Sequence, residues 1–150
     1  MDDRKTGPYR RVVLCLGSNI EPRADYLARA LAALAALPGT RLERASEPEE
    51  TEPVGVPPEY AHLRFLNQLA IFETELEVHE FSRRMHAVED ALGRKRTVRN
   101  GPRTIDLDLV DFGGMVLDEP DLVLPHPRAR ERAFVMDPWR RLCPQSADLV

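Results

Sequence analysis

Two hydrophobic periods alternate along the chain. Residues 11–19, RVVLCLGSN, form a continuous apolar, β-branched run that stops at Gly17-Ser18-Asn19. Such a run predicts a buried strand followed by a turn. Residues 22–39, PRADYLARALAALAALPG, space leucine and alanine at helical intervals until Pro38-Gly39 halts them. TRLERAS, residues 40–46, predicts a second strand at an edge. Residues 47–64 carry prolines, Gly55 and many acids. They read as a long loop, which in a compact domain is functional or mobile. FLNQLAIFETE, residues 65–75, alternates as a third strand. In residues 77–93, Val78, Phe81, Met85, Val88 and Leu92 fall near helical spacing, with Gly93 as the C-terminal stop. A basic loop follows, then TIDLDLVDFGG, residues 104–114, as a fourth strand. MVLDEPDLVLPHP, residues 115–127, predicts a small hairpin turning at Asp118-Glu119-Pro120, and residues 130–142 a short closing helix or turn.

The order β-α-β-β-α-β is that of two βαβ halves joined by a central hairpin, the ferredoxin-like arrangement. It predicts an α+β fold whose antiparallel sheet carries both helices on one face. Residues 1–150 read as one domain with a flexible lead-in over the first ten. Because this topology hosts many activities, chemistry must be read from the site.

The net charge of −4 argues against a protein built to grip nucleic acid. Its distribution says more. Residues 43–52, ERASEPEETE, are acidic, whereas residues 94–103, RKRTVRNGPR, are basic and mostly arginine, which binds phosphate bidentately. A local basic loop on an acidic chain suits a compact polyanion such as a nucleotide; a solvated charged loop is the plain alternative. No apolar run approaches the ~20 residues of a membrane helix, and VVLCL is too short for a signal-peptide core. A cytoplasmic protein is expected. Cys15 and Cys143 make no disulfide framework and read as small packing residues.

The fourth strand holds two acids. In a strand, residues i and i+2 share a face. Asp106 and Asp108 therefore project together, about 7 Å apart at Cβ, while Ile105, Leu107 and Leu109 project the other way and pack. Two carboxylates so placed repel, and they only accept hydrogen bonds. A divalent cation resolves both problems, and magnesium prefers few carboxylates with waters and phosphate oxygens. The pair reads as a metal–phosphate platform; a wet sheet face neutralised by Arg99 or Arg103 is the alternative.

The phrase GPRTIDLDLVDFG, followed by LPHPRARERAF, resembles the 6-hydroxymethyl-7,8-dihydropterin pyrophosphokinases of the folate pathway. The likeness runs from LGSN through TEPVG, FLNQ and GPRTIDLDL to LPHPRARERAF. It implies transfer of diphosphate from ATP to the hydroxymethyl group of a reduced pterin, leaving AMP, with two Mg²⁺ ions and mobile substrate loops. On this resemblance Asp106 and Asp108 are the metal-binding pair. Arg94, Arg96 and Arg103 contact phosphates near the reacting centre. His126 and Arg132 meet the nucleotide, and His86 stands where a nucleotide-contacting glutamine is usual. Phe65 and Phe134 stack the pterin ring. Asn67, Thr51 and the backbone near Val54 meet its polar edge, and Asn19 braces the pterin-side loop. An asparagine offers the donor and acceptor such an edge needs, and flat rings stack well between aromatics. The expected state is a monomer, with a weak dimer as the alternative, binding small-molecule substrates and neither nucleic acid nor membrane.

Three positions depart from the pattern. Asn100 replaces a tryptophan common in the loop, Pro127 a tyrosine after the histidine, and Asp121 a basic nucleotide contact. His62 and His79 read as structural or surface residues. Two rivals stand: a pterin- or nucleotide-binding domain that has lost catalysis, and an RNA-binding module of the same topology. The latter displays aromatics on its central strands, where this chain displays Asp-Leu-Asp.

Overall fold

A computed structural model describes residues 9–52, 57–94 and 104–147. In chain order the elements are β1 (Arg10–Ser18), α1 (Arg23–Ala35), β2 (Thr40–Ala45), β3 (Glu49–Thr51), β4 (Phe65–Thr74), α2 (Val78–Ala91), β5 (Asp106–Phe112), β6 (Leu117–Glu119), β7 (Leu122–Leu124), α3 (Ala133–Leu142) and α4 (Pro144–Ala147). β1 pairs antiparallel with β4 on one side and with β5 on the other, and β4 pairs with β2 and β3. The order β2-β4-β1-β5 is the ferredoxin-like α+β arrangement that the sequence predicts.

Strand alternation builds two unlike faces. Val12, Leu14 and Leu16 of β1, Ala70 and Phe72 of β4, and Leu107 and Leu109 of β5 lie under both long helices. Helix α1 contributes Leu27, Ala30 and Leu34, spaced three and four apart on one stripe. Helix α2 contributes Val78, Phe81, Met85 and Val88. It starts where the Glu77 carboxylate accepts the His79 N–H at 3.0 Å and the Glu80 N–H at 3.3 Å. It stops at Gly93, whose φ of +86° disfavours other residues. The opposite face carries Val13, Cys15, Leu69, Ile71 and Val110, covered by Val135, Met136 and Trp139 of α3.

The register between β1 and β5 slips once. Val13 faces Asp111 and Leu14 faces Leu109, leaving Val110 as the extra residue of a bulge. Without it, Asp111 would follow Leu107 and Leu109 into the apolar layer. With it, Phe112 takes that place and meets Phe81 edge-on at 5.8 Å.

Three local expectations change. The long acidic loop is anchored: Glu49 pairs with Asn67 and Thr51 with Phe65, and a short 3-10 turn forms at Pro58–Tyr60. A three-residue acidic strand carries no alternation to read. The small hairpin turns at Pro120-Asp121, because Glu119 still pairs with Leu122. The closing segment, expected as a helix or a turn, is a ten-residue helix with Pro138 inside it, buried through Trp139 on the second sheet face. β1 begins within the expected lead-in, with Arg10 opposite Thr74. Among the described residues no helix is long and apolar enough to cross a membrane.

Candidate active site

Helix α3 covers only part of its sheet face. Beyond it, the strand register sets Asp106 beside Gly17, Gly17 beside Asn67, and Asn67 beside Glu49, in one row across four strands. Asp108 lies beside Cys15 in the next row on the same face. The acid pair and the polar Asn67 therefore flank a glycine. A Cβ on Gly17 would lie 2.9 Å from Asn67 Oδ1 and 3.4 Å from the Phe65 ring. The bare backbone lets these groups close in.

Each acid has a cation. Arg94 Nη1 meets Asp106 Oδ1 in a short ion pair and also reaches Glu89 Oε2 at 3.0 Å. Arg132 Nη1 stands 3.8 Å from Asp108 Oδ2 and its guanidinium lies 5.8 Å from the Phe134 ring centroid. Burial lowers the proton affinity of Arg94, but Asp106, Glu89 and Asp108 outweigh it, so the cation is held more firmly than usual. His126 is half-buried, and its backbone N–H donates to Val110 O at 2.8 Å. Burial, then Arg132, pushes its pKa down against the pull of Asp106, so the ring is neutral near pH 7. Nδ1 accepts the Arg128 N–H at 3.2 Å, which leaves Nε2 to carry the proton. Burial first, and then Asp108 and Asp106, raise the Cys15 thiol far above its ordinary range, so it is no nucleophile.

On the β3–β4 side, Asn67 is buried and its Nδ2 donates to Thr51 Oγ1. Phe65 shares their edge and is half-exposed. Asn19 is buried just beyond β1, next to Ser18, whose hydroxyl donates to Ile20 O at 3.3 Å. Phe134 stands in the first turn of α3 and packs partly against the second core. His86 lines a groove between α2 and the β6–β7 hairpin together with His79, Ser82, Glu119, Asp121 and Leu122. Arg96, Arg103, Val54 and Asn100 lie outside the described residues.

Glu89 is the residue that the sequence reading missed. It is 1% exposed, accepts the Leu107 N–H at 2.7 Å, and takes His86 Nδ1 at 2.9 Å and Arg94 at 3.0 Å. It thus links the groove to Asp106 through His86 and Arg94. Its signal was available: Phe81, Met85 and Glu89 are successive i+4 positions, so a charge falls on the apolar stripe.

The residues fit a magnesium ion rather than a closed metal cage. Among the described residues no group of three or more His, Cys, Asp or Glu could enclose an ion. Two carboxylates on one face suit an ion that keeps waters and takes phosphate oxygens. Arg94 Nε, on the guanidinium that meets Asp106, and Thr104 Oγ1, two residues ahead of Asp106 in sequence, are buried without a hydrogen-bond partner among the described residues. Such donors are open to a phosphate oxygen or a water beside the acids.

An acid pair with arginines at one end of a ferredoxin-like sheet suits the binding of a metal-bound phosphate. The sequence profile of the 7,8-dihydro-6-hydroxymethylpterin-pyrophosphokinase family matches residues 13–144. A 2-amino-4-hydroxy-6-hydroxymethyldihydropteridine pyrophosphokinase of Bacillus subtilis is 38% identical over 88% of this chain and 77% of its own. One of Methylorubrum extorquens is 41% identical over 93% of this chain and 85% of its own. The fold is also that of a solved structure titled as HPPK-DHPS in complex with substrates. That match has a TM-score of 0.68 and 11% identity, over 92% of this chain and 41% of the larger one. The chain belongs to the 7,8-dihydro-6-hydroxymethylpterin-pyrophosphokinase family. It is accordingly an ATP-dependent diphosphotransferase acting on hydroxymethyldihydropterin in folate biosynthesis.

Proposed function

We propose that the row Asp106–Gly17–Asn67 joins the two halves of the reaction, with phosphate chemistry at the aspartate end and pterin recognition at the asparagine end. The single observation that carries this reading is the strand register, which puts both on one face with only a glycine between them. Asp106 and Asp108 would hold Mg²⁺, in two ions. When bound, the metal supplies charge neutralisation on the triphosphate and a template for in-line attack. Arg94, Arg96, Arg103 and Arg132 supply positive charge to phosphate oxygens. His126, held neutral, offers its Nε2–H to a phosphate oxygen without adding charge.

On the other side, Asn67 and Thr51, with the backbone near Val54, pair the pterin edge. Phe65 and Phe134 exclude water from its faces, and Asn19 supports the loop beside it. A buried polar edge left unpaired costs about 1–3 kcal/mol, which is where selectivity for the pterin arises. In the reaction, the pterin hydroxyl oxygen bonds to the β-phosphorus and gives up its proton. The bridge between α- and β-phosphorus breaks, and AMP leaves with the bonding pair. Chemistry of this kind asks a protein for position and charge, not for a nucleophile. His86 lies at the groove end of the Glu89–Arg94 relay, where it would touch the nucleotide. Asp121 in the same groove makes that end more acidic than a basic residue would.

A cytoplasmic monomer, without nucleic acid or membrane partner, is the setting for this reading. Two free cysteines suit a reducing compartment. The test is a mixture of protein, ATP, Mg²⁺ and hydroxymethyl-dihydropterin. AMP is the expected product. ADP would refute diphosphate transfer, and neither nucleotide above background would leave the degenerate binder.

A further inference from the structure

Arg94 is shared between two carboxylates of different standing. Glu89 is fixed: it is 1% exposed and tied by the Leu107 N–H at 2.7 Å and by His86 Nδ1 at 2.9 Å. Asp106 stands at the site, with its side chain 20% exposed. One nitrogen of Arg94, Nη1, reaches both. Its Nε is buried and has no hydrogen-bond partner among the described residues. A partly buried arginine whose sole purpose was to brace Asp106 would use its planar fork for two parallel bonds to that carboxylate. This one divides a single nitrogen and leaves a donor idle. We propose that Arg94 is the resting counter-ion of Asp106, exchanged for the metal ion when the site loads, with Glu89 as the anchor that keeps the displaced guanidinium in place.

Physical consequences follow from charge alone. A guanidinium in contact with a carboxylate competes with any cation that seeks the same oxygens. Without nucleotide, the metal must displace Arg94 to reach Asp106, so its affinity is low. Glu89 lets Arg94 withdraw without becoming an uncompensated buried charge, which would cost far more than the exchange. The idle Nε–H is then the donor left for an arriving anion. The same carboxylate pair thus stays neutralised in the empty protein and does not draw in stray divalent ions.

This inference rests on the reading of Asp106 as a metal ligand, and one set of titrations separates the two. Mn²⁺ binding to the nucleotide-free full chain is followed by the loss of its free EPR signal. Arg94→Gln should bind Mn²⁺ about tenfold more tightly than the wild type, the scale of one neighbouring charge at partly screened contact distance. Arg94→Lys, which restores the charge, should return the affinity to near the wild-type value. Asp106→Asn should weaken Mn²⁺ binding below wild type. Equal or weaker binding by Arg94→Gln overturns the exchange. If Asp106→Asn binds as the wild type does, the metal-ligand reading fails with it. Should Arg94→Gln not fold, the wild type decides: in arginine-labelled protein, saturating Mg²⁺ should shift the Arg94 Nε–H resonance. A resonance that stays put at saturation overturns the exchange.

Discussion

The two faces of strands β1 and β5 differ in what one residue step does. Val12, Leu14 and Leu16, with Leu107 and Leu109, meet α1 and α2 in a dry layer. One position along, Val13 and Cys15 are still apolar, but Gly17, Asp106 and Asp108 are not. The first face is packed along its length, whereas the second is packed at one end and ionic at the other. The lesson is that stability and chemistry are separated by strand parity on the same few residues. Substitutions on the two faces should therefore fail in different ways.

The largest expected effect is on the ionic end. Asp106→Ala or Asp108→Ala should lower kcat for AMP formation by about 10³-fold, roughly 4 kcal/mol of barrier, while thermal melting moves little. A matched loss of melting temperature would erase the contrast between the faces. On the dry face, Leu14→Ala should cost about 2–5 kcal/mol by denaturant titration, with kcat per folded molecule unchanged. Leu14 is fully buried among both helices, so a cavity must open there. Gly17→Ala lies on the boundary. Its methyl would press on Asn67 Oδ1 at 2.9 Å, so KM for the pterin should rise roughly tenfold with a smaller change for ATP. An equal rise for both substrates would mean that Gly17 serves the sheet and not the pterin.

The smallest effect concerns two histidines. His79 is bracketed by Glu119 Oε1 at 2.7 Å and Glu77 Oε2 at 2.6 Å, and Glu119, then Glu77, raise its pKa. His126 is pushed the other way, chiefly by burial. In NMR titrations of the folded protein, His79 should titrate above about 6.5 and His126 below it. The signs follow from linkage. The stabilising contribution of His79 is complete below its unfolded pKa and fades as pH rises through its raised folded value. For His126 the unfolded chain binds the proton first, so stability falls as pH drops below about 6.5. Reversed midpoints would overturn both assignments of environment.

Much of this was legible in the sequence because it follows from period. Strand parity placed Asp106 and Asp108 opposite Leu107 and Leu109, and helical spacing placed Phe81, Met85 and Val88 inward. The order of elements specified the antiparallel sheet. What escaped depends on contacts distant in sequence. The β3 strand exists only because Glu49 and Thr51 find Asn67 and Phe65. The bulge at Val110 depends on where Asp111 cannot go. For the closing segment the sequence left helix or turn open, because Pro138 stands inside it; the helix is settled by burial through Trp139 on the second sheet face. Glu89 was passed over because an acid in a helix ordinarily faces water; its partners, Leu107 and Arg94, come from β5 and from the segment after α2.

The most direct measurement is anomalous diffraction from crystals grown with Mn²⁺ and a non-hydrolysable ATP analogue. Mn²⁺ should lie against the carboxylates of both Asp106 and Asp108 as well as the phosphates. Manganese held by phosphate oxygens alone, with both carboxylates still on arginine, would contradict the account at its root.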